Sequence, residues 1–594
     1  MTEPLIWGFG LSPQAEPLLQ RLLGAGLITR VALPPDGERW QSGELSLFLG
    51  ATWPQCRALV AVGACGAITR LVAPLLHHKH HDPAVVVLDP EGRYAVPLLG
   101  GHGAGGEALA QRIAALLGGD AVLTGASAAA GQVALDGFGA PWGWRRGGGD
   151  WSALMKGIQR QQPLQLRHEH GNGRWQQLPG LQGLRAGPAA APLVVSVERG
   201  AGCRWHPPAL WLGIGCERGT SLSLLERLLE QGLAAQGLAP EAVAGLASAD
   251  RKADEPALLE LAERRGWPLR CFSSAELAAV AVPNPSAAVL AELGTASVAE
   301  AGALLAAGPG AQLRQTKRIE RAEAGEQGAA TLAMAQARQQ WAPQRGQLHL
   351  IGSGPGSLEL LTPDARAALA ESCIWVGYGL YLDLLEPLRR PDQLRSDGTL
   401  TEERQRCQEA LELACQGLTV ALVSSGDSGI YGMAGLALEQ WMALAEPDRP
   451  RFSVHPGISA LQLAAARAGA PLMHDFCTIS LSDRLTPWEV IERRLRAAAA
   501  GDFVVALYNP RSRGRDWQLA RAQELLLEGR PATTPVVLAR QLGRAEEAVS
   551  LHSLGNLPVE QVDMLTLVLV GNSSSRVDGG RMVTPRGYPG AELS

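Results

Sequence analysis

A glycine-rich turn at residues 423–432 separates an aliphatic segment from a helix-forming one, and this unit strongly constrains the fold. The aliphatic segment, residues 418–423, is rich in β-branched side chains, which predicts a buried strand. Residues 433–444 carry helix-forming side chains at helical spacing, so we expect a helix there. A strand, a glycine-rich turn and a helix in succession are typical of an α/β fold, and they let backbone N–H groups face a ligand.

The tetrapeptide Gly-Asp-Ser-Gly within this turn, residues 426–429, allows a second interpretation. The same four residues surround the nucleophile of trypsin-like serine proteases. Such a protease needs a His base, an orienting Asp and a further glycine for its oxyanion loop, but Ile430 stands where that glycine belongs. The alternation of strands and helices also disagrees with two β-barrels. We therefore favour a ligand-binding turn and expect Ser428 to be chemically inert.

The size and composition of the chain limit its class. Its 594 residues exceed what one hydrophobic core can organise, so several domains are expected. A hydrophobic fraction of 46% and a charged fraction of 19% indicate a globular protein, and a net charge of −5 gives no electrostatic case for nucleic acid. No apolar run is long enough to span a membrane, and the N-terminus lacks the pattern of a signal peptide. We expect a cytoplasmic protein with neither a nucleic-acid nor a membrane partner.

Metal binding by the protein itself is not expected. The nine cysteines form no C-x-x-C pair, which argues against a zinc knuckle or a disulfide framework. Four histidines within residues 77–81 could hold an ion, yet imidazoles on adjacent residues rarely converge on one metal. A solvated loop is the favoured interpretation, with metal delivery as the alternative.

The N-terminal half divides into three predicted segments. Residues 1–142 alternate strands and helices, as expected for an α/β domain, and His102 lies at the glycine-rich opening of a helix. That position would let His102 move a proton near neutral pH, although a purely structural turn explains the glycines equally well. Residues 143–207 read as a central module or linker, and residues 208–309 as a second α/β domain. Residues 310–345 are predicted to be a linker.

The motifs of this half resemble the cobalt-precorrin-5A hydrolase family of cobalamin biosynthesis over residues 40–335. They are residues 61–63 with Arg70, residues 82–85, residues 101–102, residues 213–216, and Lys252 with Glu255. The resemblance implies opening of a δ-lactone on a cobalt-corrinoid with release of acetaldehyde, and it makes His102 a catalytic candidate. The family usually carries Ser where Gly100 stands and Asn where Glu107 stands. A non-catalytic corrinoid-binding or scaffolding module is therefore the alternative.

The C-terminal part continues the pattern of strands followed by glycine-rich turns. Thr362 and Pro363 predict a helix start, and Thr486 and Pro487 predict another, with Thr486 as the N-cap. The loop at residues 352–357 is not a dinucleotide fingerprint, because Ser357 replaces its last glycine.

In order and spacing, residues 346–592 of the predicted domain 346–594 resemble the precorrin-3B C17-methyltransferases, which belong to the tetrapyrrole methyltransferases that use S-adenosylmethionine. The segments 479–483 and 486–489 are specific to this branch. The resemblance implies the class III methyltransferase fold, with lobes at about 346–460 and 461–594 and the methyl donor in the cleft between them. It also implies methylation at C17 with ring contraction, a tetrapyrrole substrate that brings any cobalt with it, and a homodimer formed through this domain.

Carried over position by position, the resemblance implies a set of residues that contact the methyl donor. They are Pro355, Gly426, Asp427, Ile430, Gly432, Ser459, Ala460, Tyr508, Asn509, Arg540 and Thr566.

Proton movement and substrate binding need further side chains. Asp427 is expected to play a polar role in catalysis or to cap its own turn. Asp483, His455 and His474 are candidates for moving protons during ring contraction, with core or capping roles as the alternative. Arginines could receive the carboxylates of the substrate, and the candidates are Arg484, Arg511, Arg513 and Arg515.

Overall fold

Six β-sheets and their flanking helices organise the part of the chain that the computed structural model describes. The described residues are 5–35, 40–41, 43–78, 81–101, 103–125, 133–160, 162–181, 184–187, 191–399, 402–512 and 514–588. The predicted α/β class with several domains is confirmed. In the same described ranges, every helix is too short or too polar to cross a membrane.

The first sheet has the strand order β2-β1-β3-β4-β5-β6 and is parallel except for the pair β4–β5. Its completely buried strands β3 and β4 are aliphatic throughout, as expected for a sheet covered on both faces. The elements are β1 (Ile6–Gly10), α1 (Glu16–Gly24), β2 (Arg30–Ala32), α2 (Glu44–Thr52), β3 (Ala58–Val62), α3 (Cys65–Val72), β4 (Ala84–Leu88), β5 (Tyr94–Leu99), α4 (Gly106–Leu117) and β6 (Asp120–Ala121).

The second sheet lies in the segment predicted as a module or linker, and it has the order β7-β11-β10-β8-β9. Its elements are β7 (Arg145–Arg146), α5 (Trp151–Gln159), β8 (Leu164–His168), β9 (Leu184–Ala186), β10 (Leu193–Val195) and β11 (Cys203–His206). Buried tryptophans, among them Trp142 and Trp175, share one hydrophobic core with Leu348 and Val420 of the C-terminal part. This segment is therefore a folded module that packs directly onto the domain beyond residue 346.

The third sheet has the order β14-β13-β12-β16-β15 and corrects a prediction. Residues 310–345 were expected to be a linker, yet they contribute two of its strands. Strand β15 is hard to recognise in the sequence because it is rich in charged and polar residues, and all of them except Gln315 are exposed or half-buried. The elements are β12 (Leu210–Cys216), α6 (Leu222–Ala235), β13 (Val243–Ala249), α7 (Pro256–Arg265), β14 (Leu269–Phe272), α8 (Ser274–Ala278), α9 (Ala287–Leu293), α10 (Val298–Ala307), β15 (Gln312–Arg321) and β16 (Ala329–Gln336).

The first C-terminal lobe is built on a parallel sheet of order β19-β18-β20-β17-β21. The predicted helix start is confirmed, because Thr362 caps α11 by accepting a hydrogen bond from Ala365 N at 3.2 Å and Pro363 is its first residue. The elements are β17 (Gln347–Gly352), α11 (Pro363–Glu371), β18 (Ile374–Tyr378), α12 (Gly379–Leu385), β19 (Leu394–Gly398), α13 (Glu403–Cys415), β20 (Thr419–Ser424), α14 (Ala434–Met442) and β21 (Arg451–His455).

The second C-terminal lobe contains a mixed sheet of order β23-β24-β27-β25-β26 and a small sheet of order β22-β29-β28. The prediction for Thr486 is wrong by one position, because Pro487 is the residue that precedes α16 and no side chain caps this helix. The elements are α15 (Ala460–Ala468), β22 (Gly469–Ala470), β23 (Phe476–Ser480), α16 (Trp488–Ala500), β24 (Val504–Tyr508), α17 (Gln518–Leu527), β25 (Pro535–Arg540), β26 (Ala548–Ser553), β27 (Thr566–Val570), β28 (Arg576–Asp578) and β29 (Arg581–Val583).

Candidate functional site

Three glycine-containing loops meet at the carboxyl edge of the sheet in the first lobe. They follow β17, β20 and β21, three neighbouring parallel strands. A Cβ atom on Gly457 would lie 2.1 Å from Gly426 O and 2.5 Å from Gly352 O, so only glycine fits there. Gly354 and Gly426 exchange two backbone hydrogen bonds, with N···O distances of 3.1 Å and 2.8 Å. The loops therefore form one rigid floor at the position where open α/β sheets bind ligands.

The turn after β20 faces the N-terminus of helix α15. Gly426 has a φ of +65°, which favours glycine, and a Cβ there would point at Ser459 Cα, 3.7 Å away. Ser459 caps α15 by accepting from Gln462 N, and the Gln462 side chain accepts from Ser459 N. The turn and a capped helix start thus lie on either side of a narrow space next to Ala460.

Asp427 fastens the turn with both of its carboxylate oxygens. Oδ1 accepts from Gly429 N at 2.8 Å, and Oδ2 accepts from Gly457 N at 3.1 Å. This is the capping geometry that the sequence left open as one of two roles. The catalytic role of Asp427 stays a prediction.

The rest of the turn folds back on itself. A Cβ on Gly432 would lie 2.4 Å from Ser428 O, which explains the glycine. Ser428 is fully buried, and its hydroxyl has no hydrogen-bond partner among the described residues. A nucleophilic serine needs a base within hydrogen-bond reach, so this arrangement does not fit a protease. Ile430 is 39% exposed and can contact a ligand.

The second lobe reaches the turn through Tyr508, at the end of β24. The Tyr508 hydroxyl accepts a hydrogen bond from Leu461 N at 3.2 Å, and burial raises the pKa of this phenol. Its ring centroid lies 5.1 Å from that of Tyr431, a residue of the turn with a φ of 53°. Sequence reasoning missed Tyr431, although its place between Ile430 and Gly432 could have suggested it.

Arg540 and Thr566 lie at the same edge of the second lobe as Tyr508. Strand β27 is antiparallel to β24 and β25, so its first residue lies beside the last residues of both. Asp563, which sequence reasoning missed, holds the pair together, with Oδ2 at 2.9 Å from Arg540 Nε and Oδ1 at 2.7 Å from Thr566 Oγ1. Asn509, with a φ of 52°, donates to Ser480 Oγ at 3.1 Å.

A second contact joins the lobes at the loop after β17. A Cβ on Gly543 would lie 3.4 Å from the carbonyl carbon of Pro355, and a Cβ on Gly356 would lie 2.9 Å from Gly543 O. The predicted donor contacts therefore lie on the loops through which the two lobes touch, and on their immediate neighbours.

The candidates for proton movement have different surroundings. His455 is engaged inside the first lobe, with Nε2 at 2.9 Å from His349 Nδ1 and Nδ1 at 2.7 Å from Asp364 Oδ2. Burial lowers the pKa of His349 to about 4. His474 is exposed, and its Nδ1 accepts from the backbone N–H of the next residue at 3.0 Å. Asp483 Oδ2 accepts from Gln518 Nε2 at 2.9 Å.

The four candidate arginines do not form one exposed cluster. Arg484 is exposed, whereas Arg511 donates to Val559 O at 3.1 Å and pairs with Glu560 at 3.0 Å. Arg515 is buried and burial lowers its pKa, while Arg513 lies outside the described residues. Arg484 is thus the candidate whose guanidinium is open to a ligand.

In the N-terminal half, the catalytic candidate His102 lies outside the described residues. The glycines around it do open helix α4, because Gly106 N donates to Gly100 O at 3.0 Å and a Cβ on Gly106 would lie 2.9 Å from Leu99 O. Ion pairs are among the contacts that join the N-terminal half to the first C-terminal lobe. Arg112 of α4 pairs with Glu371 of α11 at 2.7 Å, and Arg174 of the second sheet's module pairs with Glu409 of α13.

Three family models match the chain. Tetrapyrrole (Corrin/Porphyrin) Methylases match residues 347–558, Cobalamin synthesis G C-terminus matches residues 210–335, and Cobalamin synthesis G N-terminal matches residues 48–128. The matched ranges agree with the two resemblances read from the sequence.

Individual relatives agree with the first of these models. A probable cobalt-factor III C(17)-methyltransferase from Salmonella typhimurium is 49% identical over 243 residues, which cover 41% of this chain and 99% of that protein. A precorrin-3B C(17)-methyltransferase from Sinorhizobium sp is 44% identical over 252 residues, with 41% and 98% covered. The crystal structure of the methyltransferase CobJ is 41% identical, covers 40% of this chain and 100% of that chain, and has a TM-score of 0.39. The chain therefore belongs to the C(17)-methyltransferase family of tetrapyrrole methylases, and it carries two cobalamin synthesis G regions ahead of its methylase region.

Proposed function

We propose that residues 346–594 transfer a methyl group from S-adenosylmethionine to C17 of precorrin-3B or of its cobalt-containing counterpart, with contraction of the ring. The observation that carries this proposal is the glycine floor at Gly352, Gly426 and Gly457, which faces the capped start of α15. The identity of 49% to a C(17)-methyltransferase along almost its entire length supports the same activity.

The space beside Gly426 fits a donor of this kind. A Cβ at Gly426 would occupy the space that faces Ser459 and Ala460, so the glycine keeps that space free. Pro355, Gly426, Asp427, Ile430, Gly432, Ser459, Ala460, Tyr508, Asn509, Arg540 and Thr566 are the residues that would hold the donor. When bound, S-adenosylmethionine supplies an electrophilic methyl group on a sulfonium.

The residues of the chain contribute alignment more than acid–base chemistry. Methyl transfer is an in-line displacement, and an electron-rich macrocycle carbon supplies the nucleophile, so holding the reactants in line accounts for much of the acceleration. Asp427 keeps the turn at a fixed distance from Gly457, and Tyr508 packs against Tyr431 of the turn. Asp483, His455 and His474 remain candidates for moving protons during ring contraction. Arg484, Arg511, Arg513 and Arg515 remain candidates for binding substrate carboxylates.

Calorimetric titration of the full chain with S-adenosylmethionine tests the donor site. We expect one site per chain and at least tenfold weaker binding after Gly426→Val, because the larger side chain fills the space next to Ser459. Unchanged binding in this variant would contradict the assignment. Mass spectrometry of products from cobalt-loaded and metal-free substrate identifies the form that is methylated, and light scattering tests the expected homodimer.

For the N-terminal half, we propose lactone opening on cobalt-precorrin-5A with release of acetaldehyde. The two cobalamin synthesis G matches support this activity. The alternative, a non-catalytic corrinoid-binding or scaffolding module, is supported by the hydrophobic core that the second sheet shares with the methyltransferase lobe.

An acetaldehyde assay on the full chain separates the two. Release by the wild type that is lost in His102→Ala supports the hydrolase. The absence of release at any protein concentration supports the binding module. Methyl transfer by the same His102→Ala preparation serves as the control for folding.

A further inference from the structure

The third sheet has a charged site at its carboxyl edge, and its residues Lys252 and Glu255 belong to the hydrolase resemblance, which assigns them no role. Strands β12 and β13 are parallel, pair up to Gly213 and Ala247, and end at Cys216 and Ala249. The loops that follow them, residues 217–221 and 250–255, both lead into helices. Open α/β sheets bind ligands at this edge, so the loops occupy the expected position of a site.

Arg218 and Glu255 tie these two loops together. Arg218 donates from Nη1 to Asp254 Oδ1 at 2.7 Å and from Nη2 to Arg251 O at 2.6 Å. Glu255 Oε1 accepts from Gly219 N at 2.9 Å. The geometry of the edge is therefore set before any ligand arrives.

The second oxygen of Glu255 is in an unusual position. Glu255 is 1% exposed, and its Oε2 makes no hydrogen bond within the described ranges. Two cationic groups form ion pairs with this oxygen beyond hydrogen-bond distance, since Lys252 Nζ and Arg218 Nη1 are each 3.6 Å away. A buried carboxylate needs compensation, and here the compensation is a cation held at a distance.

Lys252 is the cation with unused donors. Its side chain is 15% exposed, and no acceptor in the described part of the chain lies within hydrogen-bond distance of its ammonium. An ammonium has three N–H donors and no acceptor, so donors that the protein leaves unused can be taken up by oxygen atoms of a ligand. Burial raises the pKa of the neighbouring Cys216 thiol to about 11, so this thiol is neutral and does not compensate Lys252.

The charges around Lys252 differ in their exposure to water. Asp254 is 76% exposed, and water screens its charge. Arg218 is 57% exposed and pairs with Asp254, so Lys252 and the buried carboxylate of Glu255 are the two charges that face each other at the inner end of the site. A ligand carboxylate next to Lys252 would accept its unused N–H groups.

We propose that Lys252, with Arg218 beside it and Glu255 as the positioning residue, binds a carboxylate of the polycarboxylate tetrapyrrole on which the N-terminal half acts. This inference rests on the proposed lactone-opening function and names a substrate contact for it. Glu255 holds the ammonium in place and leaves its donors directed to the ligand.

The small number of lysines allows a direct test on the full chain. The four lysines are Lys79, Lys156, Lys252 and Lys317, and all of them precede residue 346. Lysine labelled with ¹³C at Cε therefore gives four signals, and Lys252→Arg identifies the signal of Lys252. Titration with uroporphyrin III, a macrocycle with eight carboxylates, is expected to shift the Lys252 signal in a saturable way. Lys317 donates to Asn284 O at 2.8 Å in the same domain and serves as the control signal.

Variants connect the shift to substrate binding. Lys252→Met is expected to weaken uroporphyrin binding to the N-terminal half at least tenfold and to lower acetaldehyde release, whereas Lys252→Arg retains most of both. Lys317→Met should change neither. A Lys252 signal that does not move at saturating uroporphyrin, or unchanged acetaldehyde release in Lys252→Met, would overturn the inference. If the wild type releases no acetaldehyde, the lactone-opening proposal fails, and the signal of Lys252 still decides whether the carboxylate site exists.

Discussion

Replacing Gly426 by alanine separates backbone strain from occupation of the donor space. The φ of +65° places an alanine in the left-handed region, which costs about 1–2 kcal/mol. The added Cβ would meet its nearest neighbour, Ser459 Cα, at 3.7 Å, which is ordinary contact and adds no repulsion. Alanine also restricts the unfolded chain, which returns about 0.4–1 kcal/mol. We therefore expect the free energy of unfolding to fall by only about 1 kcal/mol.

The effect of Gly426→Ala on the methyl donor should be larger than its effect on stability. The new methyl group occupies the space between the turn and Ser459, so we expect S-adenosylmethionine to bind at least tenfold more weakly, equivalent to about 1.4 kcal/mol. Urea unfolding measures the first quantity and calorimetric titration the second.

Two further glycines provide matched controls for this measurement. Gly435 lies in helix α14, and a Cβ added there would have no atom within 4 Å outside the helix's own backbone. Gly435→Ala should therefore raise the free energy of unfolding by about 0.5–1 kcal/mol and leave the affinity for S-adenosylmethionine unchanged. Gly457→Ala places a Cβ 2.1 Å from Gly426 O and should disrupt the floor. Unchanged donor affinity in Gly426→Ala, together with the expected loss of stability, would refute the placement of the donor against this turn.

Three more predictions concern the same lobe. Asp427→Ala removes two hydrogen bonds to a half-exposed carboxylate, so we expect the free energy of unfolding to fall by about 1–3 kcal/mol and the methyl donor to bind more weakly. Asp475 is exposed, and Asp475→Ala should cause neither change. Ser428→Ala deletes a buried hydroxyl without a described partner, so stability should stay level or rise by about 1 kcal/mol; a tenfold loss of kcat/KM for methyl transfer would contradict the inert role. The pKa of His349 is depressed from 6.5 to about 4 in the folded state, so the unfolded chain binds a proton first as the pH falls. As the pH is lowered from 6.5 to 4, the free energy of unfolding should fall by about 1.4 kcal/mol per pH unit. Urea unfolding at several pH values measures this dependence, and His349→Gln should make it weaker.

Sequence reasoning succeeded where the signal is local. The aliphatic run before Gly426 and the helical spacing after it correspond to β20 and α14, and Thr362 with Pro363 starts α11 as predicted. Hydrophobic periodicity and capping depend on residues within a few positions of one another, so they can be recognised from the amino-acid sequence alone. The order and spacing of such units also carried both family resemblances.

Other features depend on partners far away in the chain, and only the tertiary structure decided them. The charged stretch after residue 310 becomes strand β15 because β16 pairs with it on one side and with β12 on the other. The sequence offers His455 as a candidate for moving protons, but both of its ring nitrogens lie within hydrogen-bond distance of other side chains. These are His349 and Asp364, each about one hundred residues away in the chain. The sequence by itself determined that a glycine-rich turn joins β20 to α14. The position of Ser459 opposite the turn, the packing of Tyr508 on Tyr431 and the hydrogen bond from Gly219 N to Glu255 depend on residues that only folding brings together.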